Sequence, residues 1–306
     1  MRLGIDIGGT KTDAVAVDGS GRTVHRIRFA TGFGPDAVAG TAVAAIRGVA
    51  ESTGLELADF ESIGIGIPGM VDAASGHVRH AVNLGLDGLD GLALGDVMAE
   101  RLGVAVHVEN DVAAAALGAY HGLELGSSMA YLNVGTGLAA GLVIDGEPWR
   151  GARGAAGEIG HIAVDPEGAV CGCGQRGCLE TIASGSGILR QWPSQDPYPV
   201  RALFDAADAG DPDARRIRRR LAEGIAEAVR LLVLTADVET VVIGGGLSHL
   251  GDRLRDDLLA VLGSWASASG FLAALELSSR VRLLPDDFPA AAVGAALAGA
   301  VMTAVG

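Results

Sequence analysis

Aromatic side chains make up only 4% of the 306 residues, so large rings cannot fill the core. Small residues take their place. Glycine occurs 47 times, and alanine is abundant. That composition suits close helix–sheet packing and loops whose backbone touches a ligand. Basic residues are outnumbered by acidic ones, 23 to 37, leaving a net charge of −14. This excludes binding nucleic acid through bulk electrostatics. An anionic substrate would need a local nest of N–H donors or a bound cation. No apolar h-region follows Met1, so no signal peptide is expected. The longest apolar run, Ala290 to Val305, is too short and too rich in alanine and glycine to span a bilayer. It reads as a buried C-terminal helix. A soluble, cytoplasmic protein with no membrane partner is expected. A Gly-x-x-x-x-Gly-Lys-Ser/Thr loop is missing as well, which excludes a Walker-type NTPase. The length is enough for a large core and predicts two domains.

Cysteine is scarce, and its placing is informative. All three cysteines, Cys171, Cys173 and Cys178, fall within eight residues, and His161 lies ten residues upstream of the first. A disulfide framework wants an even count and an oxidising compartment. Scattered core cysteines would not crowd between Gly172, Gly174 and Gly177. Three thiolates and one imidazole instead make a complete tetrahedral shell for zinc. A closed four-ligand site cannot activate water, so this zinc is expected to be structural. Glu158 and Glu180 frame the stretch, and the metal would hold both carboxylates in place.

The chain also repeats a pattern. Leu3–Ile7 reads as a strand, Gly8-Gly9-Thr10-Lys11 as a turn, Thr12–Val17 as a strand, and Asp18-Gly19 as a hairpin signal. Met129–Val134, Gly135-Thr136-Gly137, Leu138–Ile144 and Asp145-Gly146 repeat it. This duplication predicts two related α/β domains offering phosphate-facing hairpins to a shared cleft. Between the hairpins, helices are expected at 35–52, 94–102 and 112–120, and strands at 62–67 and 104–108. Later come helices at 200–209, 212–236 and 251–262, with strands at 240–243 and 281–284. Arg215, Arg216, Arg218, Arg219 and Arg220 are expected to form a solvated helix face.

Three glycine turns end or join strands: 8–10, 135–137 and Gly244-Gly245-Gly246. Such turns bring backbone N–H groups close to phosphates, and a threonine hydroxyl adds a donor. Together they point to a nucleoside triphosphate cleft. Two dinucleotide-like matches fail. Pro68 interrupts Gly64-x-Gly66-x-x-Gly69, and a β-type hairpin, not a helix, follows Gly135-x-Gly137-x-x-Ala140. Asp111, beside Asn110 at a strand end, is the candidate general base, with a helix cap as its alternative. Glu158, His161, Glu180 and Asn110 are natural partners for sugar hydroxyls, which suggests phosphoryl transfer to a polyol.

These motifs resemble the ROK family of sugar kinases, within the actin/hexokinase-like superfamily. The likeness runs from Asp6-Ile-Gly-Gly-Thr-Lys11 to Gly244-Gly-Gly246. Its most specific element is Glu158-x-x-His161 followed by Cys171-x-Cys173-x4-Cys178-x-Glu180. The resemblance implies two actin-like (ribonuclease H-like) α/β domains with a cleft between them. Their expected bounds are 1–112, with the helix near 291–306 packing back on it, and 113–290 with the zinc loop. It implies Asp111 as catalytic base, and Gly69, Asn83, Asn110, Glu158, His161 and Glu180 around the sugar. Gly8, Gly9, Thr10, Lys11, Thr136 and Gly137 would hold ATP phosphates, and Gly245 and Gly246 would lie near the adenosine. Asp6 would organise Mg²⁺ through water. The chain departs from the family pattern at Ala139, where glycine is common. It departs again after Asn83, where the run to Gly88 lacks the usual tryptophan or proline. The implied activity is an ATP-dependent hexose kinase, most simply a glucokinase. The alternatives are an N-acetylglucosamine or N-acetylmannosamine kinase, and a catalytically silent sugar sensor. A homo-oligomer, dimer or tetramer, is expected. No DNA-reading module is expected, because the chain starts at its first strand.

Overall fold

Leu3, Ile5 and Ile7 are fully buried and alternate along β1 (Arg2–Ile7), which puts all three on one face of the sheet. In this computed structural model the described residues are 1–86, 88 and 90–303, without the side chains of 300–303. Asp87 of the loop after Asn83, and 304–306 of the expected last helix, lie outside them. The chain continues through β2 (Lys11–Val17), β3 (Thr23–Ala30), α1 (Pro35–Thr53) and β4 (Ser62–Ile67). Then come the short strands β5 (Met70–Asp72), β6 (His77–Arg79) and β7 (Leu92–Ala93), followed by α2 (Leu94–Leu102), β8 (His107–Asn110) and α3 (Asp111–Gly122). The second run begins with β9 (Ser128–Val134), β10 (Leu138–Ile144), β11 (Glu147–Trp149), α4 (Gly185–Gln191), α5 (Pro199–Asp208) and α6 (Pro212–Ala236). It closes with β12 (Thr240–Gly244), α7 (Asp252–Ala268), α8 (Gly270–Ala274), α9 (Leu277–Arg280), β13 (Val281–Leu283) and α10 (Ala290–Thr303).

The two large sheets share one topology, β3-β2-β1-β4-β8 and β11-β10-β9-β12-β13. In the first, β1 and β3 flank β2 antiparallel, while β1, β4 and β8 run parallel. The second repeats the antiparallel hairpin β10–β11 and the parallel set β9, β12 and β13. The repeat seen in the hairpins is therefore a repeat of whole sheets. Two compact units result. The first is Met1–Ser127 with Gly141–Ala156 and Asp287–Gly306; the second is Ser128–Ala140 with Gly157–Asp286. Their boundary passes through β10, and α3 belongs entirely to the first unit, unlike the division expected at 112/113.

In the first unit, Val38, Ala42, Ile46 and Val49 of α1 join Leu3, Ile5 and Ile7 in one core. Pro35 starts that helix and left-handed Gly54 ends it. On the other face of the sheet lies α10. A Cβ on Gly4 would overlap the Ala292 carbonyl, and one on Gly64 the Ala295 carbonyl. This close approach is what the glycine- and alanine-rich composition serves.

In the second unit, α6 buries Ile217, Leu221, Ile225, Val229 and Leu232, spaced three or four apart. Asp211 caps it through Ala214 N at 2.9 Å. The arginine run on this helix is not simply a solvated face. Arg218 is only 18% exposed; it binds Asp257 and Asp208 and stacks over Phe204 at 4.5 Å. Arg220 pairs with Asp165, and Arg216 with Asp213. The acids that neutralise the run come partly from distant segments, which local sequence does not reveal.

The strand expected at 104–108 begins later. Its ladder with β4 opens at Gly64↔His107 and closes at Ile67↔Asn110. That shift carries Glu109 and Asn110 into the strand end.

Candidate active site

In the first unit, β1, β4 and β8 end side by side. Asp6 stands opposite Gly66, and Gly66 opposite Glu109. The next residues, Asn110 and Asp111, open α3. Asn110 is the cap: its Oδ1 accepts from Val112 N at 2.9 Å and Ala113 N at 3.1 Å. Its Nδ2 donates to Gly69 O at 3.0 Å. Asp111 is thus the first helical residue rather than the cap. Asn83 lies on the 3-10 turn Val82–Leu84, close against Gly9. Thr10 is fixed by Thr31 N donating to its carbonyl at 3.1 Å, and Lys11 is the first residue of β2. The structure therefore gathers Asp6, Gly8–Lys11, Gly69, Asn83, Asn110 and Asp111 within one unit.

Electrostatics set these carboxyls apart. Burial among protein atoms pushes Asp6 up to about 7, and the Asp111 and Asp13 carboxylates push the same way. Asp13 stands opposite Asp6 in register. Burial works against its charge too, but hydrogen bonds from Arg26 and Arg28 outweigh it and hold Asp13 below the usual range. Glu109 is 3% exposed. Burial alone would raise its carboxyl; neighbouring His107 and Arg150 hold it low instead. Nothing in the sequence singles out Glu109 as part of the site, and Arg150 was missed altogether.

In the second unit, two of the glycine turns share a cavity of about 800 Å³, within the range of nucleotide-sized sites. Gly135, Thr136, Gly185, Ser186 and Gly246 line its polar end. Leu189, Tyr198, Val200, Leu247 and Leu250 give it an apolar wall, with Arg201 and His249 beside them. Gly185 N donates to Gly135 O at 2.8 Å, and Ser186 N to Thr136 O at 3.1 Å. Gly185 and Ser186 open α4, capped by Ser184 Oγ accepting from Gly187 N at 3.0 Å; this helix start was also missed. Glu180 lies behind Gly137: its Oε2 accepts from Leu138 N at 3.0 Å and would stand 2.6 Å from any Cβ at Gly137. A side chain at 137 would displace this carboxylate from the turn.

Glu180 also borders the cysteine cluster, with Oε1 3.9 Å from Cys171 Sγ. His161 Nδ1 lies 3.7 Å from Cys171 Sγ, and Cys173 Sγ 3.6 Å from Cys178 Sγ. All four donor atoms fall within 4.8 Å of one another. A tetrahedral ion with metal–sulfur bonds of ~2.3 Å has sulfur–sulfur edges of about 3.8 Å, so these donors fit one metal ion. No disulfide spans 3.6 Å. Hydrogen bonds from Gln175 pull the Cys173 thiol down to about 6, while burial pushes Cys178 up to about 12. Crowded thiols that cannot all ionise together are what a bound cation resolves. The other ring nitrogen of His161 lies 3.9 Å from Glu158 Oε2. Glu158, His161 and Glu180 thus lie around one cluster whose four donors fit a metal ion.

The ROK family model matches residues 2–279. The chain is 35% identical over 273 residues to a glucokinase of Thermotoga maritima, covering 82% of this chain and 84% of the relative. It is 33% identical over 249 residues to an N-acetylmannosamine kinase of Yersinia pseudotuberculosis, covering 80% and 82%. Among solved structures, a ROK family glucokinase from Streptomyces griseus in complex with glucose and AMPPNP matches with a TM-score of 0.76 and 32% identity. That match covers 97% of this chain and 98% of the other. With its paired actin-like sheets and sequence likeness over nearly its whole length, the chain belongs to the ROK family.

Proposed function

We propose that the protein is an ATP-dependent sugar kinase that transfers the γ-phosphoryl group to glucose, giving glucose 6-phosphate. The family and its glucokinase relatives support the reaction class. One observation favours an enzyme over a silent sensor. Asn110 makes the two-bond cap of α3, and Asp111, the first helical residue, accepts from Val112 N at 2.9 Å and adds a carboxylate at the end of β8, where a kinase needs a base. Asp111 takes the proton of the attacking sugar hydroxyl as the phosphoryl group arrives. Gly69, Asn83, Asn110, Glu158, His161 and Glu180 hold the sugar hydroxyls. Gly8, Gly9, Thr10, Lys11, Thr136 and Gly137 take the phosphates through backbone N–H and side-chain donors. Gly245 and Gly246 lie by the adenosine. Asp6 would help hold Mg²⁺, and Mg²⁺ bound with ATP would offset charge on the transferring group.

His161, Cys171, Cys173 and Cys178 would hold zinc, which would be structural because protein would fill all four positions. The likeness to an N-acetylmannosamine kinase favours a second reading, an N-acetylhexosamine kinase. We place the protein in the cytoplasm as a homodimer or homotetramer. No helix among the described residues is long and apolar enough to cross a membrane. An ATP-dependent screen over glucose, mannose, fructose and their N-acetyl amines tests the substrate. Greatest kcat/KM on glucose is expected; preference for an N-acetyl amine would select the second reading.

A further inference from the structure

We propose that the buried Glu109 and the half-buried Arg150 form a lock that positions the Asn110–Asp111 peptide for catalysis. The inference rests on the kinase reading above, in which Asp111 is the base. Glu109 is 3% exposed on β8, the last strand of its sheet. Arg150, just after β11, donates from Nε at 2.9 Å and from Nη2 to the same oxygen, Glu109 Oε2. The other oxygen, Oε1, accepts the Asn110 N–H at 3.0 Å. Asn110 in turn caps α3 and holds Gly69 O. One carboxylate is therefore anchored on one side and grips the backbone one residue before the base on the other.

A stability role explains this arrangement less well. Taking a carboxylate out of water is unfavourable, and an apolar pair of similar size often serves stability as well. What the ion pair adds is direction. His107 helps keep Glu109 ionised, but it does not replace the grip of Arg150: its Nε2 is 3.8 Å from Glu109 Oε2, long for a hydrogen bond. Glu109 and Arg150 touch no reacting atom in this scheme; both are positioning residues.

The test uses the full-length zinc-loaded protein and compares wild type with Arg150→Ala, Arg150→Lys and Glu109→Gln. Arg150→Ala should lower kcat by about 10–100-fold, since small misplacements of a catalytic group cost rates of that size. KM for ATP should stay within about threefold. Added guanidinium ion should restore part of kcat in Arg150→Ala and do nothing for Glu109→Gln. Amide hydrogen exchange at Val112 and Ala113 should quicken in Arg150→Ala while exchange later in α3 holds. Wild-type kcat in Arg150→Ala, or a lower kcat with unchanged exchange at these two amides, overturns the proposal. If Arg150→Ala does not fold, Arg150→Lys decides by the same readouts, because lysine keeps the charge but loses the two-pronged grip. If wild type itself transfers no phosphate, the kinase reading fails, and the exchange data still judge the lock.

Discussion

Asn110 and Asp111 are neighbours with different duties. Both residue types cap helices, so the sequence leaves open which one does so; in the fold Asn110 Oδ1 accepts from both Val112 N and Ala113 N, while Asp111 Oδ1 accepts from Val112 N. Asp111→Asn should therefore leave the helix intact and cut kcat by about 10²–10⁴-fold, with sugar affinity within a few-fold of wild type. Steady-state kinetics beside sugar titration checks this; near-normal kcat would remove Asp111 from the chemistry. Asp6 makes a different prediction. Its carboxyl rises from 3.8 to about 7 on folding, so between those values the folded chain holds a proton that the unfolded chain has lost. Stability conferred by that proton is present at low pH and is lost as pH rises through 7. Asp6→Asn should be the more stable protein above pH 7, by roughly 1–4 kcal/mol, with the difference gone below pH 4. Melting curves of the zinc-loaded protein against pH without added Mg²⁺ would show it; a difference constant with pH would contradict it. Glu109 and Arg150 show where local reading ends. They lie 41 residues apart, and no spacing rule connects them.

At the scale of elements, what could be read from sequence was what had length or chemistry. α2 and α6 run over their expected residues, Leu94–Leu102 and Pro212–Ala236, because each is bounded by glycine, proline or a capping acid. The four metal-ligand candidates converge as their spacing demanded. The sheet β5-β6-β7 was not foreseen, since strands of two or three residues leave no period-two trace. Nor could the sequence say which helix each strand glycine faces. Gly64 faces α10, and Gly64→Val should destabilise the protein by about 3 kcal/mol or more, with Gly64→Ala intermediate. Denaturant unfolding measures it; a neutral Gly64→Val would mean that α10 is not held this close. Removing the metal acts on another element. Cys173→Ser should lower zinc content below one per chain and reduce thermal stability and sugar affinity together, because Glu158 and Glu180 both border the cluster. Full sugar affinity in a zinc-free variant would separate the cluster from the sugar site.

At the scale of the molecule, a cavity of about 800 Å³ beside two glycine turns offers room for a phosphate donor, which a pure sugar sensor does not require. The excess of acid leaves phosphate binding to local devices: glycine turns, a few cations and Mg²⁺. Occupancy of the sugar site should appear as thermal stabilisation, worth about 2.7 kcal/mol at a hundred times Kd, in wild type and Asp111→Asn alike. Only wild type should convert that binding into product. The decisive measurement is therefore ³¹P NMR of purified protein with ATP, Mg²⁺ and glucose, run beside Asp111→Asn. The account predicts glucose 6-phosphate and ADP in equal amounts from wild type, and almost none from the variant. Sugar binding without phosphate transfer to glucose or to any other hexose or N-acetylhexosamine would contradict it.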